Sequence, residues 1–217
     1  MKIIMEIVDY IKRNKQAIFN ICFFLVMAVL IGNNIYEQYM RGGGKGLTYV
    51  DISFTVQNMV LLIVILIRRP HLGIDSSLFN QAVALTAFCS GLAFIGQPTT
   101  QNSLLIAIST AITLAANILG IITLLNLGRS FGVLIAVRKI KTSGLYSLVR
   151  HPMYGTDILL RIGFIVSHFN PLTTFVFVLS TSCYIYRALL EEKFLSRQEA
   201  YRLYMKKVRY HFIPGIF

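Results

Sequence analysis

Two short clusters of ionisable residues flank a proline turn in the last third of the chain. Ahead of the turn stand Arg150, His151 and Tyr154; after it stand Arg187, Glu191 and Glu192. The turn is Asn170-Pro171, a pair that ends one helix and opens the next. If two helices reverse there, residues equally far from the turn face each other at the open end. Tyr154 is then level with Tyr186 or Arg187, and Arg150-His151 with about Glu191. Sixteen residues of helix rise about 24 Å, which carries both clusters to the edge of a hydrocarbon layer about 30 Å thick. Arg187 and Glu191 are four residues apart and share a helix face. Such a pair on a surface contributes only a few tenths of a kcal/mol, the ordinary reading for either residue alone. Convergence with Arg150-His151 argues for more, because ionisable groups at membrane depth are paired or functional.

Other polar residues read as structural. Asp157 and Arg161, also four apart, are expected to neutralise each other within a span, ahead of the alternative that Asp157 points into the site. His151 lacks partners at metal-ligand spacing, since His71, His168 and His211 stand far off, so no metal is expected. Cys22, Cys89 and Cys183 lie singly in apolar runs and read as small buried hydrophobes. RGGGKG (41–46) lacks the strand–loop–helix setting of a phosphate loop and reads as a linker. Ser143 and Gly144 supply a turn before Pro152, itself a natural first-turn residue. Tyr201, Tyr204, Lys207 and Arg209 fall around an amphipathic helix expected to end near Pro214. It reads first as an interfacial helix on anionic lipid, and second as a lid over the site.

The elements that must position these groups are membrane helices. The chain is 55% hydrophobic and 14% charged, with a mean hydropathy of +0.65, far from the composition of a soluble domain. Six runs are candidates to cross a bilayer: about 17–36, 50–67, 79–97, 104–126, 155–169 and 171–189. Of 21 Lys and Arg, 18 fall in segments 1–16, 68–78, 127–154 and 187–217, with Arg41 and Lys45 dissenting. That positive-inside pattern places both termini in the cytoplasm, and it accounts for the net charge of +12 without nucleic acid. The expected fold is all-α: a polytopic integral membrane bundle of about five to six spans with a C-terminal helical hairpin and an interfacial helix. Residues 1–126 form a membrane-spanning bundle of four helices, and residues 127–217 carry the polar chemistry. The expected location is a bacterial inner membrane, ahead of the endoplasmic reticulum, with the active site facing the cytoplasm.

GRSFG (128–132), TSGLYSLVRHPMY (142–154), Arg187 with EEKFL (191–195), and YRLYMKKVRYHFIP together form a pattern. It resembles the isoprenylcysteine carboxyl methyltransferase family and its relatives, the phospholipid N-methyltransferases, over about residues 124–217. The resemblance implies methyl transfer from S-adenosylmethionine. It implies that Arg138, Lys139, Ile140 and Lys141, then Tyr146, His151, Pro152, Met153 and Tyr154 line the cofactor pocket. Arg187 and Glu191 match the family's substrate-side Arg and Glu, and Arg150 sits beside them.

Methyl transfer from a sulfonium is an in-line displacement, which needs proximity and water exclusion rather than a metal or a covalent nucleophile. The expected substrate is a lipid or lipidated acceptor entering from the membrane, either a prenylcysteine-like carboxylate or a phospholipid amine. Two other classes compete: an NADPH-dependent membrane reductase with a similar hairpin, and a small non-enzymatic transporter.

Overall fold

A computed structural model describes residues 18, 21–33, 35–37, 39–40, 48–69, 73–74, 77–94, 97–133, 136–137 and 140–216. The linker at 41–46, the basic segment 1–16, His71, and Arg138 and Lys139 of the expected cofactor loop lie outside the described residues. Seven helices are described: α1 (residues 21–33), α2 (Tyr49–Ile67), α3 (Leu78–Cys89), α4 (Ser103–Leu127), α5 (Pro152–Ser167), α6 (Pro171–Leu195) and α7 (Glu199–Lys207). A two-residue antiparallel pairing, Gly73 with Val137 and Ile74 with Ala136, joins two connections.

Three of the described helices are long and apolar enough to cross a membrane: α2, α4 with its 3-10 extension to Ser130, and α6. The outer faces of α2 and α6 present Ile52, Val56, Ile63, Phe175, Val178 and Leu179 to the surroundings, the pattern of helices solvated by lipid. Buried Leu61, Val64, Ile65, Leu124, Met153 and Tyr184 form the core between them.

Local sequence starts and stops these elements. The Thr48 side chain accepts from Asp51 N and Asp51 reciprocates at the Thr48 backbone, opening α2. Asn102 accepts from Leu104 N and Leu105 N to open α4. Gly128, at φ +49°, ends α4 in a conformation open to glycine. Arg129, one residue on, donates from Nε to the Ile67 carbonyl at 3.0 Å, satisfying the C-terminal end of α2.

The expected run 79–97 is not one helix. It is α3, only 12 residues long, followed by a 3-10 segment Ser90–Phe94. Arg161 explains the break: its Nη2 donates to the Ala87 carbonyl at 3.0 Å and to Ser90 Oγ at 2.9 Å. The expected Asp157–Arg161 pair is corrected by the same geometry. Arg161 Nη1 donates to the Asp157 backbone carbonyl at 3.0 Å, while the Asp157 carboxylate accepts from Tyr184 OH at 2.9 Å. Arg161 thus reaches the end of α3 from α5 while holding the Asp157 backbone on its own helix.

Helices α4 and α5 pack through small residues. Ser109 Oγ lies 2.7 Å from the Gly163 carbonyl and 2.8 Å from Ser167 Oγ. A Cβ on Gly163 would stand 2.4 Å from Thr113 Oγ1 and 3.1 Å from Thr113 N, so the close approach requires glycine. This crossing fixes the base of the α5–α6 hairpin. Gly163→Val should cost about 1–3 kcal/mol by overpacking, lowering Tm in detergent by roughly 2–12 °C. Gly32→Ala on α1, whose Cβ meets nothing within 4 Å, should leave Tm within about 1 °C; equal shifts for the two variants contradict this account of the α4–α5 contact.

Candidate active site

The hairpin positions the site. Pro152 takes the first turn of α5, and Asn170 caps α6 in reciprocal bonds with Thr173 ahead of the reversal. At the open end the two helices meet: Tyr154 OH donates to Glu191 Oε1 at 2.6 Å. Arg187 Nε donates to the same oxygen at 3.0 Å, and its guanidinium lies over the Tyr154 ring, 5.0 Å from the centroid. The remaining Arg187 donors reach the Gly132 carbonyl at 3.1 Å and the Ala84 carbonyl at 3.4 Å. One buried guanidinium therefore joins α3, α6 and the GRSFG segment.

Arg150 and His151 meet Glu192 instead of Glu191. Arg150 Nε donates to Glu192 Oε1 at 2.7 Å, and His151 Nε2 lies 3.0 Å from the same atom. The register is off by one residue from the expectation of facing positions, because successive helix residues point about 100° apart. A further histidine joins from the C-terminus. His211 Nε2 lies 3.3 Å from Glu192 Oε2, and Arg150 Nη2 donates to it at 2.7 Å. Sequence spacing offered no sign of this partner, 60 positions beyond His151. Although two imidazoles and a carboxylate converge, the Arg150 guanidinium sits among them, and the described residues form no group suited to a metal.

These groups wall a cavity of about 130 Å³, lined by Phe131, Gly132, Ile140, Lys141, Tyr146, Arg150, His151, Met153, Tyr154, Glu191, Tyr201 and Tyr204 among others. Of the expected residues, Ile140, Lys141, Tyr146, Arg150, His151, Met153, Tyr154 and Glu191 thus come together. Pro152 and Arg187 do not line it: Pro152 starts α5, and Arg187 lies behind Glu191. Phe131, Gly132, Tyr201 and Tyr204 complete the wall. Tyr201 and Tyr204 belong to the amphipathic helix whose second reading is a lid over the site, and their i, i+3 spacing puts both on one face of α7.

Helix α7 ends at Lys207, seven residues before the expected Pro214, and Val208 is extended. Tyr201 and Tyr204 face inward over the cavity while Arg202, Leu203, Lys206 and Lys207 are exposed. Tyr204 OH donates to the Tyr146 carbonyl at 2.6 Å. Burial pushes the Tyr204 phenol up to about 12 and raises Tyr146 and Tyr201 further, so all three remain protonated donors at neutral pH.

The lining suits S-adenosylmethionine chemically. Tyrosine faces and a carboxylate complement a sulfonium, Lys141 complements a carboxylate, and Phe131, Leu127 and Ile140 offer apolar surface to a ring. The volume is below the roughly 300 Å³ at which pockets for drug-sized ligands begin, so a molecule of that size needs part of the cover to move.

No curated protein matches the chain. Residues 107–197, which run from α4 through the hairpin to the end of α6, match the model of the Isoprenylcysteine carboxyl methyltransferase (ICMT) family, the methyltransferase family that the motifs resemble.

Proposed function

We propose that the protein is an S-adenosylmethionine-dependent integral membrane methyltransferase acting on a lipid-borne acceptor, with carboxyl O-methylation of a prenylcysteine-like substrate as its reaction. The observation that carries this reading is the Tyr154–Glu191 contact on the wall of an aromatic cavity at the open end of a membrane hairpin. The family match supports the reaction class. A second cavity of about 530 Å³ supports the lipid-borne acceptor. It runs between α1, α2, α4 and α5 past Leu61, Phe54, Phe164 and Tyr184, and shares Met153 with the first. An acyl or prenyl chain lying there would bring its polar end toward Met153 and Tyr154 from the membrane side. The basic residues around the first cavity put it on the cytoplasmic side of the membrane in this reading.

Bound in the first cavity, the cofactor would supply a methyl group activated by a sulfonium. The chain's residues do the rest. Tyr146, Tyr154, Tyr201 and Tyr204 exclude water and offer polarised faces to a cation. Lys141 has no partner among the described residues and is placed to hold a carboxylate. Arg187 and Tyr154 hold Glu191 in one orientation, so Arg187 is a positioning residue and Glu191 the group on the cavity wall. An oxygen acceptor already ionised needs no base, only orientation and a dry site.

One observation favours a second reading, N-methylation of a lipid amine. Glu191 is an oriented carboxylate on the cavity wall, able to take the amine proton, whereas Arg187 and Arg150 already bond protein acceptors. Radiolabelled methyl transfer to a membrane extract separates the two. A label released as methanol by mild base marks an ester, and a base-stable label marks an amine.

Glu191→Gln should lower turnover by about 10² or more while changing S-adenosylhomocysteine affinity less than about tenfold; undiminished turnover removes Glu191 from the reaction. His151→Ala removes the ring stacked 5.4 Å from that of Tyr154 and should weaken S-adenosylhomocysteine binding about tenfold by titration calorimetry. S-adenosylmethionine at 100 times its Kd should stabilise the protein in detergent by about 2.7 kcal/mol. Stabilisation by NADPH in its place would move the protein to the reductase class.

A further inference from the structure

The C-terminal segment after α7 is tied to the loop before α5 by a short ladder. Arg150 N donates to the Tyr210 carbonyl at 2.9 Å, and His151 N to the His211 carbonyl at 2.8 Å. Arg150 Nη1 adds a bond to the Val208 carbonyl at 3.3 Å. Gly155, on the first turn of α5, lets the segment come close: a Cβ there would stand 3.3 Å from the Phe212 carbonyl oxygen. Glu192 is the centre of these contacts: its Oε1 accepts from Arg150 Nε and lies 3.0 Å from His151 Nε2, and its Oε2 lies 3.3 Å from His211 Nε2, the atom that Arg150 Nη2 also reaches. This segment continues directly from the helix that holds Tyr201 and Tyr204 over the cavity. Neither Glu192 nor His211 touches the cavity; both act on what covers it.

We propose that Glu192 is a latch: through Arg150, His151 and His211 it holds the strap 208–213 down, the strap holds Tyr201 and Tyr204 over the cavity, and the cofactor enters when the strap lifts. The cavity is partly open and holds about 130 Å³, less than a ligand of cofactor size fills, so taking one in widens the site. Glu192 and His211 are positioning residues. The latch itself stands on the contacts above; only the identity of what enters rests on the methyltransferase reading.

The latch has a pH dependence. Facing His211 are Glu192 from α6 and Arg150 and His151 from the loop ahead of α5. Burial first, then Arg150 and His151, hold the His211 imidazole below its ordinary value, although Glu192 pulls the other way. The docked strap therefore binds a proton less well than the free strap. Docking is fully stable above the ordinary histidine pKa of about 6.5 and weakens as pH falls below it.

The test uses the full chain in nanodiscs, with two readouts taken side by side. One is the rate of tryptic cleavage at the exposed Lys206, Lys207 and Arg209, which follows local opening. The other is S-adenosylhomocysteine affinity by calorimetry. Glu192→Gln should speed cleavage about tenfold or more and weaken affinity by a similar factor. Gly155→Val should do the same while leaving every charged residue in place. In the wild type, cleavage should quicken as pH falls from 7.5 to 5.5, and His211→Gln should flatten that profile. Cleavage rates unchanged in both Glu192→Gln and Gly155→Val overturn the latch. Faster cleavage with unchanged affinity overturns the strap's control of the cavity. If the wild type takes no S-adenosylhomocysteine while the variants cleave faster, the latch stands and the methyltransferase reading fails.

Discussion

The bond from Tyr154 to Glu191, 2.6 Å long, is the contact on which the rest of the site depends. It closes the open end of a hairpin whose other end is held by Asn170 and Pro171, so two helices are pinned at both ends. Glu191 has two partners here, the Tyr154 phenol and the Arg187 guanidinium. Removing the Glu191 carboxylate leaves the buried Arg187 guanidinium without its counter-charge, at a cost on the order of 3–5 kcal/mol. The same guanidinium binds carbonyls of Ala84 and Gly132, so the Glu191 orientation is transmitted to α3 and to the segment after α4.

Two adjacent carboxylates divide the work because a helix turns about 100° per residue. Glu191 looks toward the cavity and Tyr154. Glu192 looks away from it, toward Arg150, His151 and the C-terminal strap. The first lines the cavity and the second joins the C-terminal segment to the loop before α5. Aromatic stacking links them, since the His151 ring lies 5.4 Å from the Tyr154 ring and nearly parallel to it.

The membrane half and the polar half differ in how firmly they are built. Helices α4 and α5 meet through Gly163, Ser109 and Thr113 at distances no larger side chain tolerates. Arg161 adds a cap on α3 from α5. The cover, by contrast, is a nine-residue helix and a strap whose contacts to the loop before α5 are a few hydrogen bonds and one carboxylate cluster. Elements with few attachments open first, and here the loosely attached element lies over the cavity and the tightly packed one beneath it.

Much of this was legible in the chain alone. Long apolar runs can only be membrane helices, because lipid leaves backbone groups no other partner. Asn170-Pro171 can only turn, so Tyr154 and Glu191 had to approach one another, and the spacing of Arg187 and Glu191 put them on one face. What lay beyond reach were choices between neighbours and long-range partners. Whether Arg150 binds Glu191 or Glu192 depends on helix rotation, which packing sets. Arg161 bonds across to the Ala87 carbonyl and the Ser90 hydroxyl at the end of α3, while the Asp157 carboxylate accepts from Tyr184. His211 enters the site through backbone pairing 60 residues away, for which no periodicity exists. The sequence by itself determined the hairpin and the clusters at its mouth; only the tertiary structure decided which carboxylate faces the cavity and which meets Arg150, His151 and His211, since a helix face is written in the spacing of residues but its rotation is set by what it packs against.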